Sequence, residues 1–310
     1  MRIVSLLSSA TEMLFALGLG EQVLAVSHEC DWPPEALELP RATRSRIDSS
    51  QSSNAIDGQV KEFLASGKPL YELDEPLLRK LVPDLIVTQA QCDVCAIRLA
   101  DVLRLQSDAP ELQHARVLQL NRNSLEDVLH DLARIGQATQ IEAAAEQLIA
   151  GYRARIAVIA SRTASLTEMQ RPRVLCIEWI EPLMPAGNWT PQLIELAGGV
   201  SGLAVSGEHS RYATREEVAT FDPQVILVAP CGFDLPRTLV EAKQLPRVRG
   251  WQQLTAVQQG NVFAIDGNAL LNRSGPRLVE SLEVLAQLIQ PELFRDCDFG
   301  HERYWQRLTA

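Results

Sequence analysis

Short runs of uninterrupted apolar residues recur along the chain, each followed by a stretch whose apolar positions return at helical spacing. The runs are Arg2-Ile3-Val4-Ser5-Leu6, residues 23–27, residues 85–88, Arg173-Val174-Leu175-Cys176-Ile177 and residues 225–229, with Val117-Leu118-Gln119-Leu120 and Val262-Phe263-Ala264-Ile265 closing each half. Strands that are apolar throughout are expected in a parallel sheet covered by helices on both faces, not in a sheet with one wet face. The order repeats. The run at 2–6 leads to a helix ending at Leu17-Gly18, and that at 173–177 leads to 193–199. Pro83-Asp84-Leu85-Ile86-Val87 matches Pro223-Gln224-Val225-Ile226-Leu227, and residues 115–121 match 260–266. The fold class expected is therefore α/β, with two Rossmann-like lobes of mainly parallel strands.

Between the halves, apolar residues at Ile141, Ala145, Leu148, Tyr152, Ile156 and Ile159 keep helical spacing with no proline. One helix over about 139–166 is expected, close to 40 Å long at ~1.5 Å per residue. Its apolar stripe needs no explanation beyond packing. The boundaries expected are 1–123 for an N-terminal lobe, 124–170 for connecting helices including the long one, and 171–310 for a C-terminal lobe. Helix starts are read at Ser9-Ala10-Thr11-Glu12 and Thr214-Arg215-Glu216-Glu217, both as capping boxes, at Asp74-Glu75-Pro76, and at Ser124-Leu125-Glu126-Asp127. Gly18 and Gly198-Gly199 end helices and are not phosphate loops.

Charge narrows the partners. The chain has 310 residues, is 46% hydrophobic and carries a formal charge of −10 without a Lys/Arg block, so neither nucleic acid nor an anionic membrane surface is expected as a partner. No run of about 18 uncharged apolar residues is present, so a membrane span is not expected. The first residues read as a strand and a helix, not as a signal peptide, because Thr11-Glu12 interrupts the apolar stretch. That predicts a cytoplasmic protein with reduced thiols, the alternative being a periplasmic protein whose leader is missing.

Cysteines bring candidate chemistry. Cys30, Cys92, Cys95 and Cys231 each fall just past an apolar run, where ligands of open α/β sheets bind. Cys92-Asp93-Val94-Cys95 has the two-residue gap that turns two thiolates toward one ion, and His28, Cys30 and Cys231 are candidates for the remaining positions. Zinc or an iron–sulfur cluster suits such soft ligands. A reversible Cys92–Cys95 pair and separate unliganded cysteines stay open beside it. Cys176 is expected in the core and Cys297 at the surface. Trp32, Trp179, Trp189 and Phe233 also follow expected strands, and large rings there suit the broad faces of a macrocycle as well as they suit core packing. Polar candidates are Glu29, Asp31, Gln91, Asp93, Glu178, Asp234, Asp266, Asn272 and Arg273; Asp and Asn at strand ends also cap turns and helices. No nucleophile–base–orienter set is recognisable, so a ligand-binding protein is expected before an enzyme.

Several segments carry a family resemblance: Ser5-Leu6-Leu7-Ser8-Ser9-Ala10-Thr11-Glu12, Asp31-Trp32-Pro33-Pro34, Leu81-Val82-Pro83-Asp84-Leu85-Ile86-Val87, Leu193-Ile194-Glu195-Leu196-Ala197-Gly198-Gly199, Trp251-Gln252-Gln253-Leu254 and Gly275-Pro276-Arg277-Leu278. In this order they make the chain similar to the helical-backbone (class III) substrate-binding proteins that serve metal-chelate ABC transporters, above all the vitamin B12 (cobalamin) binding members. The resemblance implies two lobes joined by one long backbone helix, with a ligand cleft between them. It implies a cobalamin-like corrinoid or related metal chelate as ligand, with Asp31, Trp32, Glu178, Trp179, Trp189, Phe233, Asp266, Asn272 and Arg273 as candidate contacts. His28 becomes a candidate axial ligand to cobalt. It also implies docking to a permease through one surface glutamate per lobe. Glu216 stands at the second position, but Pro76 occupies the first, with Glu75 one residue away. The alternative is a cytosolic metalloprotein or enzyme holding zinc or an iron–sulfur cluster through Cys30, Cys92, Cys95 and Cys231.

Overall fold

The computed structural model describes residues 1–89, 97–121 and 123–308. The chain divides into two compact units, one of Met1–Gln51, Ala55–Arg122 and Glu126–Ala150, the other of Ser52–Asn54, Asn123–Leu125 and Gly151–Ala310. The first part of the chain runs β1 (Ile3–Ser5), α1 (Ser8–Ala16), β2 (Val23–Val26), β3 (Thr43–Ser45), α2 (Ser53–Ala65), β4 (Tyr71–Leu73), α3 (Glu75–Leu81), β5 (Leu85–Gln89), α4 (Leu99–Asp108), β6 (Arg116–Leu120) and α5 (Leu125–Thr139). Its main sheet has the order β2-β1-β5-β6, parallel throughout, and β3 with β4 forms a separate antiparallel pair. Every residue of β1 and β5 is buried, as their unbroken apolar sequence requires, while β6 at the edge is partly exposed.

Next comes α6 (Glu142–Thr163), then β7 (Arg173–Trp179), β8 (Met184–Pro185), α7 (Thr190–Leu196), β9 (Val200–Ser201), α8 (Arg215–Phe221), β10 (Val225–Val228), α9 (Leu235–Glu241), α10 (Thr255–Gln258), β11 (Val262–Ile265), α11 (Leu278–Ile289) and β12 (Trp305–Arg307). Here β9, β7, β10 and β11 pair in parallel, repeating the order β2-β1-β5-β6. Strands β8 and β12 are added antiparallel. The echo in the sequence is thus an echo in topology, and the expected α/β fold with parallel sheets is the observed one.

The repeat extends to single hydrogen bonds. The Arg2 backbone N–H donates to Asp84 Oδ2 at 2.7 Å, and its Nε donates to the Leu81 carbonyl at 3.0 Å. The Arg173 backbone N–H donates to Gln224 Oε1 at 3.1 Å, and its Nε to the Phe221 carbonyl at 2.7 Å. Leu81 and Phe221 close α3 and α8, so in each unit the arginine opening the first strand occupies an otherwise unsatisfied carbonyl at a helix end, where positive charge also suits the dipole.

Two local expectations are corrected. The helix expected over 139–166 is present without a break but is shorter at both ends: α5 stops at Thr139, Gln140 takes φ +61°, and α6 covers the 22 residues Glu142–Thr163, about 33 Å. The Ile141 N–H reaches back to the Gly136 carbonyl at 2.9 Å, a left-handed helix stop made without glycine at the turning residue. A Cβ on Gly136 would lie 2.5 Å from the Ala145 Cβ, so the stop also permits close approach of α5 and α6. The capping box read at Ser9–Glu12 does not form, since α1 begins at Ser8 behind Leu7 with no side-chain cap. Thr11 instead donates to Ser5 Oγ at 2.8 Å. The capping box at Thr214–Glu217 forms, and Asp74 caps α3 by accepting from the Leu77 N–H.

Candidate functional site

In the second unit, the carboxyl ends of β7, β10 and β11 carry most of the expected contacts. Trp179, the last residue of β7, lies 5.4 Å from Phe233 between ring centroids, tilted by 60°. The Arg237 guanidinium stands 3.5 Å from the Phe233 centroid, a cation over an aromatic face. Burial lowers the Arg237 pKa, because the charged form loses hydration there. Phe233 itself is buried, and the Trp179 indole N–H is buried without a hydrogen-bond partner among the described residues. Cys231 is exposed.

The loop after β11 is fastened to the loop after β10. Asn272 donates through Nδ2 to the Ala229 carbonyl at 2.8 Å and to the Gly267 carbonyl at 3.1 Å. A Cβ on Gly267 would meet the Pro230 carbonyl oxygen at 2.2 Å, so only glycine allows the two backbones this approach. Asp266 accepts from the Ala269 N–H at 2.7 Å; burial raises its pKa, partly offset by that bond and one from Leu235. Arg273 donates to Asn268 Oδ1 at 2.7 Å. Trp189 is buried at the N-cap of α7, its indole N–H donating to the Leu271 carbonyl. Leu271 holds φ +46°, unusual for a residue with a Cβ, and its N–H bonds Ser281 Oγ at 3.0 Å. Of the residues expected to contact ligand, Trp189, Asp266, Asn272 and Arg273 therefore shape the loops, and Trp179 stays half-buried against the buried Phe233.

Glu178 accepts from Ser210, whose hydroxyl oxygen also accepts from the Gly187 N–H at 2.9 Å. Sequence reasoning did not reach Ser210, which lies in an aperiodic loop. It also passed over Arg237, although the spacing of four from Phe233 at a helix start would have suggested a facing pair.

In the first unit the strand-end residues behave differently. Cys30 closes a turn to the Ser27 carbonyl at 3.1 Å and points inward, its Sγ 3.1 Å from Thr11 Oγ1 and almost fully buried. The His28 ring has Nδ1 2.7 Å from Thr43 Oγ1 and Nε2 3.1 Å from Glu29 Oε1, and it packs on Tyr71 at 5.2 Å. Asp31 and Trp32 are exposed. Gln91, Cys92, Asp93 and Cys95 lie outside the described residues. Among the described residues no three of His, Cys, Asp or Glu gather as metal ligands, and the zinc or iron–sulfur alternative gains no support. Cys176 is buried in β7, where desolvation pushes its thiol pKa far up. Cys297 is half-buried.

Among the described residues no helix is long and apolar enough to cross a membrane. Glu216 is exposed in the first turn of α8. Pro76 is exposed in α3, and Glu75 pairs with Arg104 at 2.9 Å.

The model of the family described as periplasmic binding protein matches residues 3–269. An ABC transporter substrate-binding lipoprotein of Bacillus subtilis is 23% identical over 298 residues, covering 95% of this chain and 82% of that protein. A vitamin B12-binding protein of Vibrio cholerae is 25% identical over 283 residues, covering 91% and 86%. Among solved structures, the periplasmic vitamin B12 binding protein of Vibrio cholerae superposes with a TM-score of 0.67 at 22% identity, covering 94% of this chain and 96% of that one. A periplasmic heme binding protein of Pseudomonas aeruginosa gives 0.70 at 22%, covering 94% and 92%. The cytoplasmic placement expected from the N-terminal residues is overturned by the family match: a strand beginning at Ile3 carries no information about compartment, whereas the family is one of proteins working outside the cytoplasm. From residue 3 to residue 269, in fold and in sequence, the chain belongs to the periplasmic binding protein family.

Proposed function

We propose that this protein is the substrate-binding component of an ABC uptake system and that its ligand is a corrinoid of the cobalamin type. The observation that carries the reading is Trp179, a half-buried indole at the carboxyl end of β7 that is backed by the buried Phe233 ring. A ring of this kind can bury about 150–250 Å², enough to make one of them a dominant contact for a flat macrocycle. Vitamin B12-binding relatives support the same choice. Delivery is assigned to α8, whose exposed Glu216 offers a carboxylate to a cationic patch on a permease.

Calorimetric titration of the purified protein with cyanocobalamin and, separately, with hemin tests the ligand. Saturable binding of cyanocobalamin, weakened about thirtyfold by Trp179→Ala as befits a central aromatic contact, is the expected result. Binding of hemin alone would reassign the ligand to heme, and binding of neither would remove the corrinoid reading.

A further inference from the structure

Charge is unevenly laid along the second unit. The chain has 39 acidic residues among 310, yet none stands between Glu241 and Asp266, and Lys243, Arg247 and Arg249 fall inside that gap. The fold turns all three outward. Ala242–Arg247 forms a short 3₁₀ helix, in which positions three apart lie in one row. Ala242 and Leu245 are buried in the core and Val248 packs against it, so that row faces inward. Lys243, Arg247 and Arg249 are left exposed. Among the described residues none of the three has a hydrogen-bond or ion-pair partner. The adjoining acids are engaged elsewhere. Glu241 accepts from Gln244 Nε2 at 2.6 Å, and Asp222, which accepts from the Thr255 N–H at 2.9 Å, pairs with Arg173 at 3.2 Å.

The formal charge of −10 opposes an anionic partner for the molecule as a whole. At ~0.15 M salt, however, the Debye length is about 8 Å, so a surface pressed against residues 243–249 meets these cations first. Their long side chains are not braced by any ion pair. A small anion or a folded protein is recognised through fixed geometry, whereas a layer of lipid headgroups asks only for charge. Val240, exposed three residues before Lys243, adds an apolar tip, as interfacial segments carry beside their basic residues. We propose that residues 240–249 form a contact surface for anionic lipid headgroups. The surface is separate from the ligand reading above. A permease lies in such a bilayer, so for an uptake component this contact keeps the protein beside its transporter between deliveries.

Sedimentation with vesicles tests the surface. The full chain is mixed at about 0.1 M salt with vesicles of phosphatidylglycerol and phosphatidylcholine in equal parts, or of phosphatidylcholine alone. Binding is expected to the first only, and to vanish at about 1 M salt, where the Debye length is ~3 Å. Lys243→Gln, Arg247→Gln and Arg249→Gln should each lower the partition coefficient about fivefold, the share of one cation at an anionic surface. Lys68→Gln removes an exposed cation of the first unit and should leave partition unchanged. Trp179→Ala should leave it unchanged too, which separates this surface from the corrinoid reading. Absence of sedimentation with the phosphatidylglycerol vesicles would overturn the proposal and leave the cations to an acidic protein surface. Equal sedimentation with phosphatidylcholine alone, or an equal loss from Lys68→Gln, would overturn it as well.

Discussion

Helices α3 and α8 each run for seven residues between a side-chain N-cap, Asp74 or Thr214, and a left-handed C-cap, Val82 at φ +46° or Asp222 at φ +44°. Each is followed by a proline and a buried central strand, and each is held at its last carbonyl by the arginine that opens its unit. The chemistry laid on this common frame differs. The Asp222 carboxylate accepts from the Thr255 N–H at 2.9 Å and Oγ1 at 2.7 Å and pairs with Arg173 at 3.2 Å, while Val82 has no side chain to do so. Those bonds hold the Asp222 carboxyl below its ordinary range. Outward, α8 presents the exposed Glu216; α3 presents Pro76, with Glu75 tied to Arg104. Backbone frame and surface chemistry have thus diverged independently. Steric and hydrogen-bond requirements hold the frame, and only a partner would hold the surface.

The largest expected effect tests the frame. Arg173→Ala should cost about 2 kcal/mol of unfolding free energy and Arg2→Ala at most about 1 kcal/mol, because Arg173 bonds two carbonyls and a carboxylate and Arg2 is more exposed. Equal losses in urea unfolding would mean that the Asp222 cluster adds nothing. The surface comes next. Glu216→Pro gives α8 the residue that α3 carries in its first turn, where proline is tolerated, and should lower transporter-coupled uptake about tenfold without changing ligand affinity. Reconstituted uptake that is unaffected would remove Glu216 from the delivery surface. A smaller effect is expected at the caps: Thr214→Ala and Asp74→Ala should each cost about 1 kcal/mol, and a difference well beyond that would show that one helix depends on its cap more than the other.

The smallest effect is a pH slope confined to α8. Bonds from Arg211, and from Thr214 through its backbone and hydroxyl, lower the Glu217 pKa from 4.5 to about 2. A depressed carboxyl stabilises the folded state fully above the unfolded value and loses that contribution as pH falls through the folded value. Stability should therefore decline between about pH 4.5 and 2, and Glu217→Gln should flatten that part of the profile of urea midpoints against pH. An unchanged slope would place the acid sensitivity elsewhere.

The sheets were legible because burial on both faces leaves an unbroken apolar run, and β1, β5, β10 and β11 are such runs, buried at every residue. The repeat could be read for the same reason. The turn at Gln140 that divides α5 from α6 was not, since a left-handed stop without glycine or proline leaves no mark in composition. Site residues were less legible still. A position just past a strand end says that a residue lies in the loop, not which way its side chain turns. Cys30 turns inward onto Thr11, Trp189 inward onto Leu271, and Cys231 outward. The direction depends on contacts distant in sequence, such as Asn272 reaching Ala229 or Gly267 lying against Pro230, and no local pattern encodes them. Geometry separates the half-buried Trp179 from the buried groups that brace the loops around it.

The five tryptophans are distributed so that the protein carries its own optical instrument. Trp189 and Trp251 are sealed in the core and should emit in the blue at constant intensity, an internal standard. Trp32 is exposed and should emit in the red, open to quenching by iodide. Trp179 is half-buried beside Phe233, so a corrinoid absorbing near it would darken a third component of the same spectrum.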